Sequence, residues 1–291
     1  MSTLSYEIVD VFTDRPFAGN PLAVVFGADA LARDQMQALA REFHLSETVF
    51  VLPPSAEGAT YRARIFTPEV ELPFAGHPSV GAAVTVTRRG AREQAVQRTV
   101  VQECGAGLLP IEVYESGTAR LTGGQPTCGP ELDPAPLLAI AGLTDADYAG
   151  PAPRMVGCGV EWPCLAVTPD AVERAFPVLP QPDQPTSVYV FAWDPSTCEA
   201  HARHFAPAMG IAEDPATGSA ALGLGVWLVA SGLLPGDGES AYTVRQGYEI
   251  HRPSTMDCTV SAVDGAAVRA TVAGQVVPVA SGRIAIPPFV G

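Results

Sequence analysis

In two short segments of the sequence, side chains that can transfer protons lie next to the start of a predicted helix, and each helix begins near a glycine. ELPFAGHPSVGAAVTVTRRG covers residues 71–90, and EDPATGSAALGLGVWLVASG covers residues 213–232. Each runs from a carboxylate through a turn with Pro and Gly into a stretch that predicts an apolar helix. A helix N-terminus carries unpaired amides and about half a positive charge. The two starts, opened by Gly76 and Gly218, are therefore expected to bind an anion such as a carboxylate.

Ionisable and hydroxyl side chains accompany both predicted helix starts, and these are His77, Ser79, Asp214 and Ser219. Imidazole and carboxylate groups transfer protons, and hydroxyls donate hydrogen bonds to anions. Residues 71–86 and 211–231 contain no Lys or Arg. The helix termini are then the positive feature that remains for a carboxylate, and we expect an anion between residues 76–79 and 217–220. Ordinary turn geometry is the alternative explanation of the glycines.

Glu47 is a third candidate, in HLSETVFV, at a predicted junction between loop and strand. It precedes the apolar residues Val49 and Phe50. A carboxylate in apolar surroundings has a raised pKa and can both take and give a proton near neutral pH. The alternative is a solvated glutamate at a strand start. Glu71 ranks behind Asp214 as a further acid.

The composition indicates a folded chain whose partners are small molecules. Of 291 residues, 47% are hydrophobic and 16% are charged, which supplies a core and argues against disorder. The net charge of −14 disfavours nucleic acid and anionic membrane surfaces as partners.

Other sequence features predict a cytoplasmic protein without a metal or cofactor. The start, MSTLSYEIVDVF, lacks the pattern of a signal peptide, and none of the six cysteines forms a CxxC pair. The uncharged run 215–236 is expected to be a buried helix rather than a membrane span, because acids flank it and positive charges do not. No nucleotide fingerprint or metal cage appears. His201 and His204 in HARH have a spacing that can bind metal, but no third ligand is in view. Cys158 and Cys164 are expected to be structural.

Periodicity and turn residues predict four helices among many strands. The helices cover about 29–43 with Asp29 as a possible N-cap, 78–89 ending at Gly90, about 133–142, and 219–229 ending at Gly232. Strands are expected at 4–12, 22–26, 47–54, 60–68, 98–115, 118–124, around 155–167 and 187–193, and at 242–247, 255–263, 267–274 and 277–286.

The second and fourth helices are apolar on nearly all sides, so each must be covered all round. We therefore predict an α+β fold with two similar halves, each a curved, mostly antiparallel sheet or barrel around a central helix. The halves are expected at 1–122 and 123–280, with the tail from about 281 to 291 returning to the first half. The active site is expected in the cleft between the halves.

Four segments resemble the phenazine-biosynthesis isomerase family (PhzF-like), and they are VFTDRPFAGNPLAVV (11–25), HLSETVFV (44–51), ELPFAGHPSVGAA (71–83) and EDPATGSAALGL (213–224). The resemblance spans essentially the whole chain. It implies the diaminopimelate epimerase-like fold and a cofactor-free homodimer. It also implies an allylic proton shift on trans-2,3-dihydro-3-hydroxyanthranilate, with a glutamate as the acid–base group.

The resemblance carries over residue by residue. The catalytic glutamate, histidine and aspartate of the family match Glu47, His77 and Asp214, and the positions that hold the substrate carboxylate match Gly76, Ser79, Gly218 and Ser219. Ser79 replaces the usual Thr and keeps the hydroxyl. His251 replaces a usual Gly, which leaves the substrate identity open. The related epimerases use two cysteines at their helix starts, and neither start here contains one, so two-thiol racemisation is excluded.

The leading hypothesis is therefore a cofactor-independent isomerase that moves a proton on a small unsaturated carboxylic acid. The first alternative is a hydrolase or lyase in which Glu47 activates water. The second is a non-catalytic binder of small carboxylates, since helix ends also hold an anion that is not turned over.

Overall fold

The computed structural model describes residues 2–90 and 97–288, and the chain divides into two compact units. The first unit comprises Met1–Leu121 and Ala273–Gly291, and the second comprises Thr122–Val272. The segment that belongs to the first unit thus begins at Ala273, whereas the sequence placed it near 281. One unbroken strand, Ala266–Ala285, crosses this boundary, where the sequence predicted two strands.

The first unit is a mixed sheet with two helices. Its elements are β1 (Thr3–Val11), β2 (Asn20–Phe26), α1 (Arg33–Phe43), β3 (Glu47–Leu52), β4 (Tyr61–Phe66), β5 (Glu71–Leu72), α2 (Gly76–Gly90), β6 (Gln97–Cys104), β7 (Gly107–Tyr114) and β8 (Thr118–Thr122). β2 pairs with β3 and β4 pairs with β6 in parallel, because α1 and α2 provide the crossovers. The neighbouring pairs along this unit are antiparallel.

Helix α2 is the central helix of the first unit, and the residues from Gly76 to Thr85 are all buried. Gly81 allows the helix to approach the sheet closely, since a Cβ there would lie 2.5 Å from Leu22 and 2.8 Å from Val11. Val25, on the opposite face of β2 from Leu22, packs with α1 instead. The sheet is therefore covered by one helix on each face.

Helix α1 begins later than predicted. Its N-cap is Ala32, whose amide donates to Gln35 Oε1 at 3.0 Å, so Asp29 is not the cap. Residues 28–31 form a turn instead, closed by a hydrogen bond from the Leu31 amide to the Ala28 carbonyl. Gly90 is the last residue of α2 and not the residue after it.

The second unit repeats this plan with more helices. Its elements are β9 (Pro126–Glu131), α3 (Pro134–Ile140), β10 (Arg154–Cys158), β11 (Glu161–Ala166), α4 (Pro169–Arg174), β12 (Val188–Asp194), β13 (Glu199–Ala206), β14 (Ile211–Asp214), α5 (Gly218–Ala230), β15 (Gly238–Gln246), β16 (Ser254–Val263) and the beginning of β17 (Ala266–Ala285), whose remainder from Ala273 belongs to the first unit. Sequence periodicity missed β9, β13, β14 and α4, which are short or mixed in polarity. The predicted third helix is shorter than expected, and Asp133 caps it by accepting from the Ala135 amide.

Helix α5 is the central helix of the second unit. Its residues from Gly218 to Val229 are buried on every side. Gly225 permits contact with Tyr242, since a Cβ there would lie 2.4 Å from the tyrosine oxygen. Gly232 has a φ of 70° and ends the helix as predicted. Among the described residues, no helix is long and apolar enough to cross a membrane.

The pairing pattern confirms that the two units share one plan. β11 pairs with β12 and β13 pairs with β15 in parallel, as β2 with β3 and β4 with β6 do. α1 and α4 provide the first crossover of each unit, and α2 and α5 provide the second. The predicted α+β class, with two similar halves that each wrap mostly antiparallel sheet around a central helix, is confirmed.

Candidate active site

The first unit brings Glu47 and His77 together. Glu47 is the first residue of β3, and His77 is the second residue of α2. The two side chains are largely buried, and His77 Nε2 lies 3.6 Å from Glu47 Oε2. A carboxylate and an imidazole at this separation form a pair that can exchange a proton with a bound molecule.

A hydrogen bond with Asn20 indicates which ring nitrogen of His77 carries the proton. The Asn20 side-chain nitrogen, which only donates, lies 3.3 Å from His77 Nδ1, so Nδ1 is the acceptor. Burial lowers the pKa of His77 to about 3, which keeps the ring neutral at pH 7. The ring proton of the neutral form is then on Nε2, the nitrogen that faces Glu47.

Ser79 lies inside the fold rather than at its surface. Its hydroxyl donates to the Ala75 carbonyl at 2.8 Å and accepts from Gln102 Nε2 at 2.8 Å. The Gln102 oxygen in turn accepts from the Tyr61 hydroxyl at 2.8 Å. In this arrangement Ser79 stabilises the start of α2, and its hydroxyl proton is already donated within the protein.

Glu71, the alternative acid, is held in ion pairs. Arg64 contacts both carboxylate oxygens, at 2.6 and 2.8 Å, and Arg33 adds a third contact at 3.0 Å. The Arg64 hydrogen bond, with a smaller effect from Arg33, lowers the pKa of Glu71. A carboxylate held in this way stays ionised and is a poor proton donor, so Glu71 has a structural role.

The second unit contains a chain of hydrogen bonds that ends on Asp214. The Thr217 hydroxyl lies 2.5 Å from Asp214 Oδ2, the range of a hydroxyl that donates to an ionised carboxylate. The same oxygen lies 3.1 Å from His204 Nδ1. Because the threonine proton goes to Asp214, His204 Nδ1 must donate its own proton to Thr217. Burial lowers the pKa of His204 to about 3, so this ring is also neutral.

Gln246, the last residue of β15, holds this chain in place. Its amide nitrogen donates to the Asp214 carbonyl at 2.7 Å and to the Thr217 hydroxyl at 3.1 Å. Its oxygen accepts from the Thr217 amide at 3.2 Å and from the Tyr189 hydroxyl at 3.3 Å. Burial raises the pKa of Tyr189 well above its usual range, which keeps this hydroxyl a donor.

Ser219, the second residue of α5, is prepared to donate. The Trp162 indole nitrogen, a donor only, lies 2.9 Å from Ser219 Oγ. The serine oxygen therefore accepts from the indole, and its own proton points elsewhere. Thr217, at the N-cap of α5, uses its hydroxyl on Asp214 and makes no side-chain cap. The first amides of α5 thus lack a side-chain cap from Thr217.

A tight loop after β15 positions Pro215, the neighbour of Asp214. Gly247 has a φ of 79°, and a Cβ there would lie 2.6 Å from the Pro215 carbonyl. The Ser254 hydroxyl donates to the same carbonyl at 3.1 Å. His251 lies in this loop with a φ of 59°, in the left-handed region that favours glycine. Its side chain is exposed to solvent.

The two histidines of HARH separate in the structure. They lie on β13, where residues three apart point to opposite faces of the sheet. His201 Nε2 lies 2.8 Å from Glu249, whereas His204 is buried beside Thr217 and Trp162. The pair therefore does not form a metal chelate. Cys158 and Cys164 are free and buried, and burial raises the pKa of Cys158 to about 12, as is typical of an unreactive buried thiol.

Sequence reasoning missed several of these groups, namely Asn20, Trp162, Thr217 and Gln246, and treated His204 only as a possible metal ligand. Thr217 carried a signal, since it stands directly between Asp214 and Gly218 in a segment already singled out. The others come from strands remote in sequence, and only the fold brings them to the helix starts.

Comparison with known proteins agrees with this architecture. The family model of phenazine biosynthesis-like proteins, PhzC-PhzF, matches residues 9–282. The trans-2,3-dihydro-3-hydroxyanthranilate isomerase of Pseudomonas aeruginosa is 35% identical over 262 residues, which cover 86% of this chain and 88% of that protein.

Two solved structures are similar over nearly their full length. The PhzF-family phenazine biosynthesis protein of Bacillus anthracis has a TM-score of 0.85 and 28% identity, with 98% of this chain and 100% of the other covered. A "predicted epimerase" of Pseudomonas aeruginosa has a TM-score of 0.80 and 32% identity, with coverage of 97% and 99%. The diaminopimelate epimerase-like fold and an enzyme of the isomerase class are thereby confirmed. The chain belongs to the phenazine biosynthesis-like PhzC-PhzF family.

Proposed function

We propose that this protein is a cofactor-independent isomerase that moves a proton within a small unsaturated carboxylic acid. Glu47 acts as the acid–base group. Its carboxylate takes a proton from an sp3 carbon, and the electron pair of that C–H bond shifts into the adjacent unsaturated system. The resulting carboxylic acid returns the proton to another carbon of that system. The product is an isomer of the substrate, and no redox partner is needed.

The observation that carries this proposal is the buried pair of Glu47 and His77. Their 3.6 Å separation is slightly long for a hydrogen bond, so a polar group of the substrate has room to contact both. The neutral His77 ring offers an N–H and carries no charge that would hold Glu47 permanently ionised. Acid–base transfer of this kind contributes roughly 10²–10⁴-fold to a rate.

In this proposal, the substrate carboxylate accepts hydrogen bonds from the amides of Gly76 and Gly218 and from the Ser219 hydroxyl. The indole contact with Ser219 supports this assignment, since it leaves the serine proton for a ligand. Asp214 accepts a hydrogen bond from a hydroxyl or amine of the substrate. Ser79 supports the start of α2 and is not assigned a direct contact.

The substrate of the Pseudomonas relative, trans-2,3-dihydro-3-hydroxyanthranilate, is the first compound to test. Incubation in D2O followed by mass spectrometry and NMR should give a product of unchanged composition apart from deuterium at the carbon that receives the proton. Glu47→Gln, which keeps the shape but cannot exchange protons, should abolish turnover and deuterium incorporation while the melting temperature stays near that of the wild type. Glu69→Gln, at an exposed turn, is the matched control and should remain active.

Each alternative gives a different result in the same experiment. A hydrolase or lyase gives a product whose mass differs by water or by a lost fragment. A carboxylate binder shows saturable binding by calorimetry without deuterium exchange. A fully active Glu47→Gln protein contradicts the assigned role of Glu47.

We further propose that the enzyme is a homodimer in a reducing cytoplasm. The six free cysteines support the reducing compartment. Light scattering during size-exclusion chromatography tests the dimer, and a single species of about 30 kDa, the mass of one chain, would contradict it.

A further inference from the structure

His204 is a buried histidine that the proposed reaction does not yet use. It is 3% exposed and lies on β13, directly opposite Asp214 on β14 in the strand register. The corresponding position of the first unit is Ile65, opposite Leu72 in the equivalent β4–β5 pair. A polar ring in a position that is apolar in the other unit needs an explanation, because burying it is costly unless it is hydrogen-bonded.

The hydrogen bonds around Thr217 supply that explanation. The threonine oxygen has one proton to give and two candidate acceptors, Asp214 and His204. Its 2.5 Å distance to Asp214 against 3.1 Å to His204 indicates that the proton is donated to Asp214. His204 in the Nδ1-protonated form prevents the reverse arrangement, because a nitrogen that donates does not also accept.

We propose that His204 is a positioning residue that acts through Thr217, directing the threonine proton onto Asp214 and so holding this carboxylate ionised and fixed in orientation. The inference rests on the proposed function only in assigning Asp214 to the substrate. The hydrogen-bonded chain itself belongs to the protein without a ligand.

Few other groups compete for this role. Trp162 from β11 and Tyr189 from β12 flank the His204 ring, with centroids 4.6 and 6.0 Å away, and both are uncharged. Gln246 from β15 is neutral. Arg203 and Glu213, each one residue before the pair, bind each other at 2.7 Å, and their side chains start from the opposite faces of their strands.

The test is a pH titration of Asp214 in the full-length enzyme labelled with carboxyl-13C aspartate, with Asp214→Asn used to assign the signal. We expect Thr217→Val to raise the midpoint by about one pH unit or more, and His204→Met by about half a unit or more, because each removes a hydrogen bond that favours the charged form. Thr217→Ser and His204→Asn, which each keep a donor, should stay near the wild type.

His201→Met is the matched control, since it lies on the same strand and points to the other face. It should leave the Asp214 midpoint unchanged. A His204→Met midpoint equal to that of the wild type overturns the proposal, and so does a shift of the same size in His201→Met. If His204→Met does not fold, the comparison of Thr217→Val with Thr217→Ser decides, and equal midpoints in these two overturn it.

The enzymatic readout separates this inference from the proposed function. With trans-2,3-dihydro-3-hydroxyanthranilate, His204→Met should move the acidic limb of kcat/KM to higher pH by the same amount as the NMR midpoint. If the wild type does not turn over this or any related acid, the proposed function fails, whereas the titration of Asp214 still decides the role of His204.

Discussion

The segments that lead into α2 and α5 have the same design but carry different chemical groups. Glu71-Leu72-Pro73-Phe74-Ala75-Gly76-His77 aligns with Glu213-Asp214-Pro215-Ala216-Thr217-Gly218-Ser219. Glu, Pro and Gly recur at the same positions. Each glutamate binds an arginine of its own unit, since Arg64 binds Glu71 and Arg203 binds Glu213. The shared residues therefore build the turn, and the remaining positions define the site.

Those remaining positions divide polar and apolar groups differently in the two units. Leu72 and Ala75 in the first unit become Asp214 and Thr217 in the second, whereas His77 in the first becomes Ser219 in the second. Each unit also holds one buried, neutral histidine near its central helix, and the two histidines are different tautomers. His77 presents an N–H at Nε2, and His204 donates from Nδ1. The repeated framework thus carries a carboxylate–imidazole pair in the first unit and a hydrogen-bonded aspartate in the second.

The largest expected effect comes from making the first helix start resemble the second. His77→Ser places in α2 the residue that α5 has at the equivalent position, Ser219, and takes away the imidazole ring beside Glu47. We expect kcat to fall about 10²–10⁴-fold while KM changes little. Steady-state kinetics and a melting curve measure this. A kcat within tenfold of the wild type would assign the proton transfer to Glu47 without His77.

The second prediction compares the buried glutamines that support the two helix starts. Gln246→Leu removes four hydrogen bonds and should cost about 2–4 kcal/mol of unfolding free energy, whereas Gln102→Leu removes two and should cost about 1–3 kcal/mol. Urea unfolding measures both. Equal losses would mean that the extra contacts of Gln246 contribute nothing to stability.

The third prediction uses the two buried histidines and pH. Each has a pKa of about 3 in the folded protein, against about 6.5 when unfolded, so below pH 6.5 the unfolded state binds protons that the folded state does not. Stability should therefore fall as the pH decreases from about 6.5, and each ring contributes up to about 1.4 kcal/mol per pH unit.

Urea unfolding between about pH 7 and pH 5 measures this slope, and the window ends above the range where most carboxylates titrate. His77→Ser and His204→Met should each lower the slope by the share of one ring. A variant with the slope of the wild type would show that its histidine is protonated in the folded protein.

The smallest expected effect concerns the hydroxyl of the second helix start. Ser219→Ala should raise KM about 5–10-fold, the loss of one hydrogen bond to an anion, with kcat nearly unchanged. Trp162→Phe removes the indole donor, so the serine hydroxyl is less strictly oriented, and KM should rise less. A fall in kcat without a change in KM would indicate that Ser219 acts in the chemical step and not in substrate binding.

The sequence by itself determined the fold class, the two central helices and the residues that match the family. These features depend on local patterns, since an all-apolar helix must be covered and a glycine-opened start is visible in the order of residues. Gly232 as the helix end and the α+β class were predicted for this reason and are confirmed. The site residues Glu47, His77, Asp214, Gly76, Ser79, Gly218 and Ser219 were also chosen from sequence, and their roles remain predictions. Ser79 is the exception in the proposed mechanism, because its hydroxyl already donates to the Ala75 carbonyl.

Only the tertiary structure decided which of these groups are held by partners. Glu71 and Asp214 are both acids that shortly precede a predicted helix, and the sequence does not show their partners. In the structure Arg64 binds Glu71, whereas Thr217 contacts Asp214. His204 drew attention in sequence only for its spacing from His201, whereas the strand geometry of β13 places it beside Thr217. The protonation of a buried group depends on hydrogen bonds to residues that are far apart in sequence. The order of residues does not show which of them come within hydrogen-bonding distance.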